Sequence, residues 1–416
     1  MKMVFWISLG FILYIYAGYP LIMWMLARFR PHHWNLAPVT PSISIVLAVH
    51  NGVSLLTQKI DHLLGLDYPN ILEIIVVSDG SFDGTAKLLA QYRHPRVIPI
   101  ILEEHGGKAV ALNAGVARAQ GDVILFVDIR PEIAPCAIQQ LVSNFADPKV
   151  ACVAGELILR RDGHEGATAA VGGLYWRYEQ WIRRCEALSD SAVGVYGGFY
   201  AIRRDLATTL PDGLILDDVF QPLSIVRKGF RCVLDPLAHV YDTWPQKLGG
   251  EFHRKVRTLA GNFQLIQLAP WTLGLQNRVL FQFVSHKVLR LAAPYLLFLF
   301  VVSTVALAGS SPFYATLAAL QLLSLGTAVT GLLFRIPMLY RFAAPASGLL
   351  MLNAAAVVAL QRFLFTRGPL WKIWNVGQPK VAVFTPQPSN MTAPEPVAVA
   401  PATDTGTSLR IHANRR

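Results

Sequence analysis

The sequence predicts an α/β domain flanked by membrane-spanning helices. Three observations carry that expectation. Short apolar runs alternate with helix-length segments from Ser42 onward. The run Val123-Ile124-Leu125-Phe126-Val127 is uninterrupted and closes on Asp128. Long uncharged stretches lie near the beginning of the chain and again after Arg290. A continuous apolar strand suits a parallel sheet buried on both faces. A charge at its carboxyl end then falls on the rim where open α/β sheets hold ligands. The competing reading of Asp128 is a cap on the following helix.

Composition narrows the class. Apolar residues make up 53% of the 416 and charged residues 15%, which points to membrane segments. The net charge of +11 fits a protein resting on an anionic membrane face or handling phosphorylated ligands. Nucleic acid is disfavoured as a partner, because the basic residues are dispersed and no binding motif is present. Cys136, Cys152, Cys185 and Cys232 are far apart without a CxxC, so neither a zinc site nor a disulfide framework is expected.

Taken in order, Val4 to Leu26 is long enough to span a bilayer. Lys2 precedes it, and Arg28, Arg30, His32 and His33 follow it, which puts its C-terminal end in the cytoplasm. The stretch is too long for a signal peptide and lacks a clear small-residue cleavage site. Strands are expected at Ser44–Val49, Leu72–Val77, Val97–Leu102 and Asp122–Val127, with another near Val150–Val153. Helices are expected at Gly52–Leu64, Gly84–Tyr92 and Lys108–Ala119, giving right-handed βαβ crossovers and a parallel sheet. Phe281 to Arg290 reads as an amphipathic interface segment. Leu291–Ala308, Phe313–Phe334 and Ala343–Leu360 are each near spanning length. Arg335 and Arg341 mark the loop between the last two as cytoplasmic, yet Arg362, Arg367 and Lys372 also favour that side. A simple count places the latter outside, so one of the three segments is read as re-entrant or interfacial. After Phe384 the tail is rich in Pro, Ala, Thr and Ser and reads as disordered.

The strand ends carry the candidate chemistry. The first runs into Val49-His50-Asn51-Gly52, and the second into Ser78-Asp79-Gly80-Ser81-Phe82-Asp83-Gly84. Asp79 is read as an acceptor for a base or ribose, and Asp83 as the cap of the next helix. Gly106-Gly107-Lys108 opens a helix whose free N–H groups and Lys108 ammonium suit a phosphate. The aromatic-basic stretch Tyr175 to Arg184 suits the headgroup level of a membrane, or else an acceptor-sugar platform.

The strings VLAVHNG, VVSDGSFDGT, GGKAVALNAG, GDVILFVD, GGFYAIRR, LDDVFQPLSIVRKGFRC and EFHRKVRTLAGN follow one another over residues 43 to 265. In that order they resemble the nucleotide-sugar domain of family 2 glycosyltransferases. The flanking apolar segments resemble that family's membrane-embedded branch, which includes cellulose, hyaluronan and poly-N-acetylglucosamine synthases. The resemblance implies a GT-A-like (Rossmann-like) domain at 42–270. Around it are expected a transmembrane helix at 1–30, a linker at 31–41, an interface helix at 271–290, transmembrane segments at 291–372 and a disordered tail at 385–416.

It also implies a membrane-bound inverting transferase in the inner (plasma) membrane, multi-pass, with its catalytic domain cytoplasmic. Such an enzyme moves a sugar from a nucleotide-diphosphate donor, expected to be UDP-linked, to a polysaccharide or glycolipid. By the same resemblance Asp218 is the catalytic base. Val49, Asn51, Asp79, Lys108, Asn113 and Arg257 bind the donor. Asp128 holds Mg2+ or Mn2+ on the diphosphate. Asp217, Gly198, Arg254 and Arg130 lie at the acceptor or diphosphate. The chemistry demands a carboxylate to take the acceptor hydroxyl's proton as its oxygen attacks C1. Asp217 and Asp218 are adjacent, so repulsion is expected to raise one pKa. The expected partners are the donor, a saccharide or lipid-linked acceptor, membrane lipid, and an additional export or synthase subunit.

Two departures stand out. Arg130 occupies the second acidic position of the DxD-type motif, leaving one metal carboxylate. Thr258 stands where processive synthases carry the tryptophan of QxxRW, while Arg257 keeps the arginine. These departures keep two alternatives open: single-sugar transfer to a polyprenyl-phosphate or other lipid, and an inactive transferase-fold scaffold or nucleotide-binding subunit. Arg254, Lys255 and Arg257 also admit a plainer role as a basic face against anionic lipid. A Rossmann oxidoreductase is poorly supported, because no GxGxxG follows the first strand.

Overall fold

A computed structural model describes residues 1–160, 167–243, 248–333, 337–366 and 368–370. The expected tail at 385–416 lies outside the described residues. Helix α1 (Lys2–Phe29) opens the chain and contains a π-helical turn at Tyr14–Gly18. There follow β1 (Ile43–Val49), α2 (Val53–Leu64), β2 (Ile71–Asp79), α3 (Thr85–Gln91), β3 (Val97–Leu102), α4 (Lys108–Arg118) and β4 (Val123–Val127). These agree closely with the alternation read from the sequence. β1 pairs in parallel with β2 and β4, and β2 with β3.

The rest of the sheet is mixed. It comprises β5 (Glu132–Ile133), β6 (Val150–Arg160), β7 (Phe199–Arg203) and β8 (Arg231–Thr243), with α5 (Ala137–Ser143), α6 (Ala167–Ser189) and α7 (Asp217–Arg227) between them. Among the described residues the strands run in the order β3-β2-β1-β4-β7-β6-β8-β5. β7 is antiparallel to both β4 and β6. Its insertion decides the site. Val127, at the end of β4, pairs with Phe199, at the start of β7. That register sets Gly197-Gly198 directly beside Asp128, whose N–H donates to the Gly198 carbonyl at 3.2 Å. Likewise Glu132 pairs with Tyr241, which brings the end of β8 to the loop after Asp128.

Every side chain of β4 is buried, as its continuous apolar pattern requires. Successive residues face opposite layers. Ile124 and Phe126 pack with α4 and α7, while Leu125 and Val127 pack with α2 and α5. At about 1.5–3 kcal/mol for each large apolar side chain buried, the two layers fix the strand ends firmly.

Among the described residues four helices are long and apolar enough to cross a membrane: Lys2–Phe29, Leu280–Ser310, Pro312–Thr330 and Ala346–Phe365. The interface helix expected at 271–290 is not separate. Leu280 begins a helix, α9, that continues to Ser310 through a second π-helical turn at Val284–Val288. α10 (Pro312–Leu333) and α11 (Pro337–Phe365) follow. α8 (Leu248–Leu268), which carries the RKVRT stretch, packs Val256 and Ala260 against Ala355 and Ala359 of α11. Phe263 stacks on Phe363 at 5.7 Å. The last third of α11 therefore lies against the layer that holds the cleft.

Candidate active site

The cleft forms where β1, β2 and β4 end. Asp79 closes β2 and is 3% exposed. Its carboxylate accepts the N–H groups of Gly106 (2.8 Å) and Gly107 (2.9 Å), and a contact from His105 Nδ1 (2.8 Å). Asp79 thus holds the loop that leads into α4 and points Lys108 into the cleft. Gly80 makes this approach possible. It sits at φ +55°, and a Cβ there would stand 2.2 Å from the His105 nitrogen.

The neighbouring loops are tied together. Asn51, at φ 54°, accepts the Phe82 N–H at 3.0 Å and donates its own to Ser81 Oγ at 3.1 Å. Asp83 accepts the Thr85 N–H and also the first N–H of α2 at Val53, while the N-cap position of α3 itself is Gly84. His50 stacks on His105 with centroids 3.7 Å apart, and Phe82, 85% exposed, stands edge-on to His50. The sequence reading singled out none of these three rings; their position after consecutive strand ends was the available signal.

Lys108 is the hub of the acidic side. Its Nζ lies 3.2 Å from Asp128 Oδ1 and 3.4 Å from Asp217 Oδ2, and donates to the Gly197 carbonyl at 3.3 Å. Burial works to lower the Lys108 pKa, but Asp128, Asp217 and Asp218 together hold it above its ordinary value. Asp217 and Asp218 form the first turn of α7, where the helix dipole favours negative charge. Their environments differ. Asp217 is 3% exposed, and its carboxyl is raised to about 6, first by burial and then by Asp218 and Asp128, against the pull of Lys108. Asp218 is half-buried and opens to the cleft. Gly197 permits its approach, since a Cβ there would stand 3.0 Å from Asp218 Cβ. The adjacent carboxylates are thus separated in role by burial.

The other expected site residues divide. Val49 is buried in the core, so its backbone alone faces the loop. The Asn113 amide donates to the Leu210 carbonyl at 2.8 Å and accepts the Leu210 N–H at 2.9 Å, which ties it to that loop. Arg130 turns from Asp128 to Asp242, 3.3 Å away, because β5–β8 pairing brings that carboxylate alongside. Arg254 is held by both oxygens of Glu251 at 2.8 Å, with Tyr196 and Asp242 in its electrostatic surroundings. Arg257 is exposed on α8, one turn before Gly261, which packs against Ile215 and Leu216 just ahead of the acidic pair.

Lys59 escaped the sequence reading. It is buried on α2 and donates to the Pro131 carbonyl at 2.5 Å, behind the Asp128 loop. Burial lowers its pKa to about 8, with Asp128, Asp242 and Glu132 opposing.

Among the described residues no group of three or more His, Cys, Asp or Glu side chains is arranged to hold a metal. Asp128, half-buried at the strand end, fits a cation that takes its remaining ligands from substrate phosphates and water.

A curled mixed sheet with an acidic cleft at its strand ends defines a GT-A-like glycosyltransferase fold. Residues 44–209 match the model of glycosyl transferase family 2. It is 26% identical over 233 residues to the poly-beta-1,6-N-acetyl-D-glucosamine synthase of Staphylococcus aureus, covering 54% of this chain and 55% of that protein. It is 26% identical over 264 residues to an N-acetylglucosaminyltransferase of Rhizobium meliloti, covering 60% and 62%. The chain thus spans little more than half the length of the curated relatives it matches. Its fold is similar to that of a mannosyltransferase from Pyrobaculum calidifontis, solved with GDP-Man and Mn2+. That likeness has a TM-score of 0.63 at 21% identity and covers 87% of this chain and 99% of that one.

Proposed function

We propose that this protein is a membrane-anchored, metal-dependent inverting glycosyltransferase that draws a nucleotide-diphosphate sugar, UDP-linked, from the cytoplasm. One observation carries the reading: Lys108 is shared between Asp128 and Asp217, with Asp218 open to the same cleft. The names of the two curated relatives support N-acetylglucosamine as the first sugar to test.

In this reading Asp79 acts through the loop that it holds, while His50, His105 and Phe82 offer ring faces to the base. Lys108, the α4 N-terminus and Arg257 receive the diphosphate. A divalent ion on Asp128, when bound, neutralises charge on the leaving diphosphate. Asp218 accepts the proton of an acceptor hydroxyl as that oxygen bonds to C1, and the nucleoside diphosphate departs from the opposite face. Asp217 stays buried and keeps Lys108 in position.

The membrane assignment is supported by the four long apolar helices. The packing of α8 on the end of α11 supports an interfacial course for that last segment. Single addition to a lipid acceptor is a second reading. Thr258 favours it: its hydroxyl bonds back to the Arg254 carbonyl at 3.1 Å and offers no aromatic face to a growing chain. The deciding experiment offers a panel of nucleotide sugars, with Mg2+ or Mn2+, to the full-length protein in lipid. Release of nucleoside diphosphate supports transfer, and a single product against a ladder separates the two acceptor readings. Nucleotide-sugar binding without turnover under every metal overturns both.

A further inference from the structure

Away from the cleft, α6 packs on α1 and on the start of α9 through a buried polar cluster. Glu186 accepts the Tyr19 hydroxyl at 2.5 Å and meets His286 Nδ1 at 2.6 Å. Glu179 meets His286 Nε2 at 3.1 Å and receives Arg290 Nη1. His286 belongs to the π-helical turn of α9, and Tyr14, in that of α1, bonds Ser285 at 2.7 Å. Such turns are concentrated at functional sites.

The charges in this cluster do not balance. Both glutamates are engaged by the partners just named. Arg290 nevertheless keeps Nε and Nη2, the two nitrogens of one guanidinium edge, buried without an acceptor. Arg183 Nε is in the same condition. Lys287 lies within the electrostatic reach of both arginines. A buried donor without an acceptor is costly, and a guanidinium edge fits two oxygens of a phosphate. Arg290 is also the last charge before the apolar run Leu291–Leu307, which sets it at headgroup depth.

We propose that the Nε–Nη2 edge of Arg290, with Arg183 and Lys287, binds the phosphate group of a membrane lipid. The site is separate from the nucleotide cleft and does not rest on the transfer reading. Lys255 lies over the Tyr175 ring at 4.6 Å and shares Glu251 with Arg254, so basic residues continue from this site toward Tyr196 and Asp242. A lipid phosphate held here has its head turned toward the cleft.

The test uses the full-length protein in dodecyl maltoside micelles, which carry no phosphate, without nucleotide sugar. The thermal midpoint is read with a polyprenyl phosphate, the matching polyprenol, and inorganic phosphate. The lipid phosphate is expected to raise the midpoint by several degrees, and the alcohol to leave it unchanged. Arg183→Gln and Lys287→Gln break no ion pair described above. They are expected to fold normally and to weaken lipid binding about tenfold each, worth about 1.4 kcal/mol. An equal shift from the alcohol, or full retention of the shift in both variants, overturns the proposal. A shift from inorganic phosphate equal to that from the lipid at the same concentration overturns the lipid assignment. Because no donor is present, loss of this binding and loss of sugar transfer are read separately.

Discussion

Lys108 and Asp128 form an ion pair of 3.2 Å across the mouth of the cleft. One residue begins a helix after the third strand, and the other ends the fourth. Their meeting assembles the charge distribution on which the proposed chemistry rests. Replacing Lys108 by Gln leaves Asp128, Asp217 and Asp218 without their shared cation. Calorimetry in nanodiscs is expected to show nucleotide-sugar affinity falling by about tenfold or more. Unchanged affinity would remove Lys108 from the donor site.

Asp218 is the open member of the acidic pair and Asp217 the buried one. Asp218→Asn is expected to lower turnover by about 10²–10⁴-fold, the usual worth of a general base. Donor KM is expected to change little, since the proton is taken from the acceptor. Release of nucleoside diphosphate measures both. Wild-type turnover in this variant would end the assignment of the base.

Gly80 lies at φ +55°, with the His105 backbone 2.2 Å from the position of any Cβ. Gly80→Ala therefore combines left-handed strain, about 1–3 kcal/mol, with a backbone collision. A melting point lower by several degrees is expected. Faster amide exchange is expected at Gly106 and Gly107, whose N–H groups Asp79 holds. Unaltered exchange there would show that the loop does not depend on the turn.

Lys59 supplies a pH test. Its pKa is lowered from 10.5 to about 8, chiefly by burial. Below pH 8 both folded and unfolded chains carry the proton, and the cost of the buried charge is constant. Between about 8 and 10.5 the unfolded chain binds more protons, so the contribution to stability rises with pH. The size is about 3 kcal/mol at full displacement. The wild-type stability minus that of Lys59→Met, followed by denaturant unfolding, is expected to climb over this window. A flat difference would mean that Lys59 titrates as an exposed lysine.

Much of the fold was legible because strands β1 to β4 and their helices are local patterns. Val123 to Val127 is apolar at every position, and a doubly covered parallel strand requires just that. Asp79, Lys108, Asp128 and Asp218 were legible as strand-end or helix-start residues in a known order. The reversal of β7 was not. GGFYAIR reads as a strand in either direction, and pairing partners are set by contacts distant in sequence. The partners of Asn113 and Arg130 were not legible for a related reason: each side chain meets a backbone or carboxylate that tertiary pairing delivers.

The sequence by itself determined which residues end the buried strands and which long apolar segments suit a membrane, because periodicity and length act within a short window. The tertiary structure alone decided that Asp217 is sealed while Asp218 opens to the cleft. It also left one guanidinium edge of Arg290 without an acceptor beside the long apolar helices. Burial and charge balance depend on what distant segments bring to the same point, and no local pattern records that.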